Sequence, residues 1–350
     1  MRILFIGESW RGSCARSLKE ALSRSANVIL DEINEDAFFP KHRALWLRAL
    51  NRILNHAYRQ ELYRQILHRA NVFRPDIIMT YKGYSIQSEC IHQLQDLGYT
   101  IVNVYPDLSP HAHGIAHKKA VGEYDLVIST KPFHPTLWKN IYGYDNPCVF
   151  VPQGYDPNLH LVTKPPSNPR FDVTLAATWR PEYGNLLKNL SKLLKGYDIS
   201  VGIGGNGWMT HRDDYPKEWI FMGGLEGHAY VDWLRQGRIC LSPVTREVNI
   251  SGAHQPGDED STRTYELAAA HCFFIHRRTE LIQKLYDENT EVPMFDTPEE
   301  LAEKIIHFLP RSEERRNMAE AAHRRAVPDY SLDKRTDEIL AVIQDMKIKR

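Results

Sequence analysis

Through the first 165 residues, short apolar runs that stop at polar or glycine-rich turns alternate with stretches of helical period. That alternation predicts strand–helix units built on a parallel sheet. Ile3-Leu4-Phe5-Ile6 reads as a buried strand, followed by the turn Gly7-Glu8-Ser9-Trp10-Arg11-Gly12-Ser13 and a helix over 15–23. Further strands are predicted at 28–30, 77–80, 99–104, 126–129 and 149–152, each ending where polar residues and prolines gather. Between Lys41 and Arg74, apolar Trp46, Leu50, Ile53, Leu54 and Ala57 recur at helical spacing. They are set among Lys41, Arg43, Arg48, Arg52, Arg59, Arg64, Arg69 and Arg74, with Glu61 as the one acid. A basic amphipathic helix of this kind can meet anionic lipid or an acidic acceptor, or can be an ordinary solvated helix back.

Lys164-Pro165-Pro166-Ser167-Asn168-Pro169 then packs three prolines into six residues. Each proline fixes φ and removes a backbone donor, so neither helix nor central strand can run through. A domain boundary is predicted there, between a domain over 1–165 and a second over 170–330. The second half restarts the pattern with strands at 171–177, 199–201, 219–221 and 239–241 and a helix over 186–194. Thr297 is the expected N-cap of a helix over 298–308, and an Arg/Glu-rich solvated helix continues through Arg325. An amphipathic helix over 332–346 is the core of a closing segment, 331–350, expected to cross back to the first domain.

Composition narrows the partners. A chain of 350 residues is too long for one ordinary core and suits two domains. Lys+Arg and Asp+Glu are equal at 44 each, so no net field recruits nucleic acid or lipid to the whole surface. Cys14, Cys90, Cys148, Cys240 and Cys272 are scattered without the spacing of a zinc site. The apolar start is too short for a signal peptide, and no stretch reaches the ~20 apolar residues of a membrane span. A cytoplasmic protein that does not bind nucleic acid is expected.

The strongest candidate chemistry lies in Gly257-Asp258-Glu259-Asp260-Ser261-Thr262-Arg263-Thr264-Tyr265-Glu266-Leu267-Ala268-Ala269, an acid-rich loop entering an apolar helix near Tyr265. Ser261 and Thr262 can cap that helix and leave free N–H groups facing an anion beside Arg263. Glu266, if ionised, can accept from two vicinal hydroxyls, and Asp258 stands eight positions before it. The plainer reading is that these acids only complement the helix dipole. Asp258-Glu259-Asp260 also contains Asp-x-Asp, a pattern able to hold a divalent metal.

Gly202-Ile203-Gly204-Gly205-Asn206-Gly207 spells the dinucleotide fingerprint, yet the polar, aromatic stretch from Trp208 to Pro216 does not open a helix, which argues against a dehydrogenase. In Tyr105-Pro106-Asp107-Leu108-Ser109-Pro110-His111-Ala112-His113-Gly114 an acid and two histidines follow a strand. Two histidines at i, i+2 without further ligands do not make a metal site.

Taken in order, Gly205-Asn206-Gly207-Trp208, Arg263-Thr264-Tyr265-Glu266-Leu267-Ala268-Ala269, Pro298-Glu299-Glu300-Leu301 and Tyr330-Ser331 resemble the GT-B glycosyltransferases. More narrowly they resemble the CgeB-like group, named for a spore maturation protein, over about residues 170–340. The resemblance implies an α/β fold of two Rossmann-like domains facing across a cleft. It implies transfer of a sugar from a nucleotide donor, a UDP-sugar first, to an acceptor that is a glycan, a protein or a small molecule. By the same resemblance Glu266 takes the donor ribose, and Asp258 stands where related retaining enzymes carry the first acid of Glu-x7-Glu.

Arg180, with Lys188 as second candidate, falls where related enzymes place a cation on the diphosphate. Such a charge is needed when the sugar–phosphate bond breaks without a metal. Gly204, Gly205 and Trp208 would approach the donor, as would backbone at Gly7, Trp10 and Gly12, while Asp107 and His113 would face the acceptor or the reacting sugar. Retention, no metal and no cofactor beyond the donor are the corresponding expectations. Two departures stand out: the shorter Asp258, and His271 where the group usually has glycine. A nucleotide-sugar epimerase of the same architecture and a non-catalytic sugar-nucleotide or partner-binding protein remain as alternatives.

Overall fold

The apolar runs become strands whose two faces are both covered by helices, as continuous rather than alternating hydrophobicity requires. The computed structural model describes residues 1–40, 44–250 and 253–348. The chain divides into two units: Met1–Pro152 with the described residues of Asn249–Pro256 and Arg335–Arg350, and Gln153–Val248 with Gly257–Lys334. The division thus falls ahead of the proline-rich link. The closing helix, Leu332–Ile348, lies mostly within the first unit.

In the first unit, β1 (Arg2–Gly7), β2 (Ile29–Asn34), β3 (Ile77–Tyr81), β4 (Ile101–Tyr105), β5 (Leu126–Ser129) and β6 (Cys148–Phe150) form one sheet. Its order is β2-β1-β3-β4-β5-β6, and the pairs are parallel. On one face Ile3, Phe5, Met79, Val102 and Ile128 pack with Leu18, Leu22, Ile339, Leu340 and Ile343. On the other, Leu4, Ile6, Ile78 and Val127 meet Leu62, Ile66, Ile91 and Leu94. Successive residues of one strand therefore enter different cores, the period-2 rule of a pleated strand.

In the second unit, β7 (Phe171–Ala176), β8 (Val201–Gly204), β9 (Ile220–Met222), β10 (Gly237–Ser242), β13 (Phe274–Arg277) and β14 (Met294–Phe295) form the other sheet. A separate two-stranded ribbon, β11 (Glu247–Ile250) with β12 (Ala253–Pro256), interrupts this run of strands. The sheet order is β14-β13-β10-β7-β8-β9, all parallel. Counted by occurrence without the ribbon and read from its far edge, it is 3-2-1-4-5-6, the Rossmann order. Val173, Leu175, Ile203, Ile239 and Ile275 pack on one face with Leu187, Leu190, Leu301 and Ile305.

Strand order locates the sites before any side chain is considered. In open parallel sheets a ligand crevice forms beyond the carboxyl ends of two neighbouring strands whose onward connections leave in opposite directions. In the second unit those strands are β7 and β10; in the first they are β1 and β3.

Candidate functional site

At the second unit's switch point, the segment after β7 runs through Thr178, Trp179 and exposed Arg180 into the helix Pro181–Leu193, with Arg180 as its N-cap residue. The segment after β10 returns alongside, and the Arg246 N–H donates to both carboxylate oxygens of Glu182 at 3.0 and 3.2 Å. Burial lifts the Glu182 carboxyl above its usual range, as does the charge of Asp258, against the pull of Arg246 and Arg180. Those four groups are therefore electrostatic neighbours. Gly257 is what lets the acid loop lie close, because a Cβ there would stand 1.9 Å from the Thr245 carbonyl oxygen.

The acid loop ends in the helix Thr262–Ala269, which starts three residues before the Tyr265 expected from its apolar face. Ser261 is the N-cap, and its own N–H donates to Thr264 Oγ1 at 3.1 Å. Thr264 Oγ1 lies 2.8 Å from His276 Nε2, and His276 Nδ1 lies 2.7 Å from the Arg277 carbonyl oxygen. The carbonyl can only accept, so Nδ1 carries the proton and Nε2 accepts from Thr264. Burial, with the charge of Arg263, pushes the His276 pKa down to about 3, which keeps this chain of bonds in one neutral state. Arg263 itself donates through Nη2 to the Pro243 carbonyl at 2.8 Å, fastening the helix to the segment leaving β10.

Glu266, one turn further, is 7% exposed. Tyr230 OH donates to its Oε2 at 2.6 Å, and His160 Nε2 stands 3.5 Å from Oε1. His160 Nδ1 accepts the Asp156 N–H at 3.0 Å, so the neutral ring's proton sits on Nε2 and faces the carboxylate. With about four lone-pair sites on a carboxylate, two stay available for a pair of adjacent hydroxyls. Neither Tyr230 nor His160 is near Glu266 in sequence.

The Asp-x-Asp triplet is taken apart by the fold. Tyr265 OH donates to Asp260 Oδ2 at 2.7 Å in the interior, and Glu259 Oε2 accepts the Leu281 N–H at 2.9 Å. Only Asp258 remains at the switch point. The resemblance's other departure also has a structural account. His271 takes a left-handed φ of 61°, the conformation glycine favours after a helix. Its ring stacks on His323 at 4.2 Å, and its Nε2 lies 2.7 Å from Glu320 Oε2.

Of the other second-unit candidates, Trp208 is corrected: its side chain is 0% exposed, and Nε1 donates to the Ala177 carbonyl at 2.6 Å. It props the end of β7 and cannot touch a ligand. Lys188 pairs with Asp214 at 2.9 Å, both partly exposed. It stands seven residues into its helix, about 10 Å along the axis from the switch-point end. Gly204 and Gly205 have packing reasons. A Cβ on Gly204 would meet Leu225 at 2.4 Å, and one on Gly205, at φ +134°, would meet the Ala177 oxygen at 2.0 Å. A 3-10 helix, Trp208–Asp214, follows these glycines, so the dinucleotide fingerprint lacks its phosphate-binding α-helix.

In the first unit, β1 ends at Gly7, and the turn after it carries exposed Trp10 and Gly12, the last at φ +92°. Gly7 is tight, because a Cβ there would stand 3.0 Å from Phe5 Cε1 and 3.2 Å from Ala15 Cβ. Across the switch point, Lys82 Nζ stands 3.1 Å from Glu8 Oε1, which also takes Ser13 Oγ at 3.3 Å. Next to it Tyr84 OH donates to Asp107 and lies 3.0 Å from His113 Nε2, and His113 Nε2 is 3.3 Å from Asp107 Oδ2. Burial works against the Asp107 charge, but His113, Lys82 and Lys131 outweigh it and hold its pKa low. Burial, with His113, pushes His117 down to about 4. Asp107 and His113 thus sit together with Lys82, Tyr84 and Glu8, which sequence reading did not single out. The signal for Lys82 was available in its position directly after an apolar strand.

Glu35 carries a testable consequence. Burial, reinforced by Glu8 and Asp36 and opposed by a hydrogen bond from Ser85, lifts its pKa from 4.5 to about 7. Between those pH values the folded chain keeps a proton that the unfolded chain releases, so stability falls as pH rises, by at most about 3 kcal/mol. Glu35→Gln should remove this slope. Urea denaturation should find the variant about 1–3 kcal/mol more stable at alkaline pH and equal to the parent below the unfolded pKa. Parallel pH profiles for the two proteins would refute the assignment.

Residues 180–341 match the model of a family described as glycosyl transferase-like. No curated protein was found to match the chain. Among solved structures, sucrose-phosphate synthase from Thermosynechococcus elongatus superposes with a TM-score of 0.67 at 13% identity, covering 100% of both chains. HepE of Anabaena in complex with UDP-glucose gives 0.67 at 12% identity, covering 99% of this chain and 100% of that one. A putative UDP-N-acetylglucosamine 2-epimerase from Listeria monocytogenes gives 0.57 at 11%, covering 100% and 97%. The fold is therefore GT-B, two Rossmann-like domains, and most of the second lies within the stretch similar to the glycosyl transferase-like model.

Proposed function

We propose that the chain is a glycosyltransferase of the CgeB-like kind that moves a sugar from a nucleotide donor, a UDP-sugar, to an acceptor, with retention and without a metal. The observation that carries this reading is Glu266, a carboxylate held by Tyr230 and His160 on the helix that opens at the β7/β10 switch point. In this reading Glu266 takes the ribose hydroxyls, and the first-turn N–H groups of Thr262 and Arg263 face the diphosphate with Arg180. Asp258 orients the transferred sugar. The Lys82, Tyr84, Asp107 and His113 group of the first unit serves the acceptor or the reacting sugar. Metal-free transfer is supported by the separate engagements of Glu259 and Asp260, which leave a cation, Arg180, as the group able to offset charge on the departing diphosphate.

Calorimetric titration of the full chain with UDP-, GDP-, dTDP- and CMP-sugars tests it. A UDP-sugar should bind; no heat with any of the four would overturn the reading. The Listeria likeness keeps an epimerase as the second reading. Incubation of donor alone separates them, because an epimerase converts the sugar without acceptor and a transferase does not.

A further inference from the structure

The helix Leu45–Phe73 runs for 29 residues, about 43 Å, and among the described residues its second half is bound into the first unit's core through Leu62, Tyr63, Ile66 and Ala70. Its first half has a different character. Phe39 packs edge-on against Tyr58, and Asn51 Nδ2 donates to the Pro40 carbonyl, so one side is covered by the preceding segment. A second side carries Trp46, Leu50 and Ile53, 68%, 42% and 77% exposed, followed by exposed Ala57. Spacings of four, three and four place these residues in one stripe.

Charge says what the stripe meets. Residues 41–60 hold Lys41, Arg43, Arg48, Arg52 and Arg59 and no Asp or Glu, in a chain whose charges as a whole balance at 44 against 44. Lys41 and Arg43 lie outside the described residues, and they enter here through sequence alone. Arg52 is exposed about a third of a turn round the helix from the stripe, and Arg64 is exposed further along the stripe's own line. A second copy would bring two such acid-free segments together, which like charge opposes. A polynucleotide would leave Trp46, Leu50 and Ile53 unused. An anionic bilayer uses both properties: apolar side chains enter the boundary of headgroup and acyl chain, with Trp favoured there, while Lys and Arg meet the headgroups. Among the described residues no helix is long and apolar enough to cross a membrane.

We propose that the exposed face of Trp46, Leu50, Ile53 and Ala57, on a segment with five Lys and Arg and no acid, is a peripheral docking surface for an anionic lipid bilayer. Co-sedimentation of the full chain with vesicles of phosphatidylcholine plus phosphatidylglycerol, against phosphatidylcholine alone, tests it. Binding should require the anionic lipid and weaken in high salt. The double variant Trp46→Ser/Ile53→Ser should lower partitioning by about tenfold or more, and Arg52→Glu should weaken it and reduce its salt dependence. All three substitutions lie on solvent-facing positions, so melting temperature and nucleotide affinity should match the parent. No binding to anionic vesicles in low salt, or binding that the variants leave unchanged, overturns the proposal. So does a concentration-dependent dimer in gel filtration that Trp46→Ser/Ile53→Ser abolishes, since that would assign the face to a second copy.

Discussion

Glu266→Ala is expected to weaken nucleotide-sugar binding by about 100-fold or more. Each hydrogen bond from a ribose hydroxyl to an ionised carboxylate contributes about 1.5–3 kcal/mol, and two are lost together. Part of any loss will come from Tyr230 and His160, which hold the carboxylate and are left without it. Glu266→Gln keeps the shape and an acceptor for Tyr230, and so isolates the charge. A ligand cycle removes the remaining ambiguity. The parent should bind a 2′,3′-dideoxynucleotide far more weakly than the ribonucleotide, whereas Glu266→Ala should bind both equally weakly. Calorimetry that finds the ribonucleotide affinity unchanged in Glu266→Ala would end the ribose assignment, however the enzyme behaves otherwise.

Arg180→Ala should act on the reaction rather than on binding. As the glycosidic bond to the diphosphate breaks, negative charge grows on the leaving oxygen, and a cation aimed there is worth more in the transition state than in the ground state. Loss of such a group typically costs 10²–10³ in turnover, about 3–4 kcal/mol. The donor KM should move by much less, and Arg180→Lys should recover part of the rate. Steady-state kinetics with the donor found by calorimetry would check both numbers. A kcat close to the parent's would transfer the role to Arg263 or to Arg246, whose backbone N–H Glu182 already holds across the switch point.

Much of the architecture was legible because strands covered on both faces are written as unbroken apolar runs. Ile3-Leu4-Phe5-Ile6 and 77–80 needed no tertiary information, and both lie within strands. β13 and β14 were not legible. His276, buried in the network around Thr264, and Arg277, whose guanidinium lies over the Phe295 ring, break the apolar run of β13, and β14 is two residues long. The helix Thr262–Ala269 was placed from its apolar face at Tyr265, whereas its start is set by Ser261 and Thr264, a polar signal one turn earlier. Trp208 and Lys188 show the limit of reading by position. Trp208 comes shortly after a strand but faces inward, and Lys188 lies inside a helix and pairs with Asp214; direction and partner belong to packing.

The chain's own order of residues determined two α/β units, an acid-rich helix entrance in the second, and a basic, acid-free stretch in the first, because these depend on neighbours within a few positions. Only the tertiary structure decided which residues share a site. Asp258 meets Glu182, and Glu266 meets Tyr230 and His160, across separations that no local period records. Strand order did that work: a crossover places β7 beside β10, and their carboxyl ends then bring together side chains from segments distant in sequence. The same physics sorted three adjacent acids into three fates. Asp260 was buried against a tyrosine and Glu259 took the start of another helix, while Asp258 came close enough to act on the Glu182 charge.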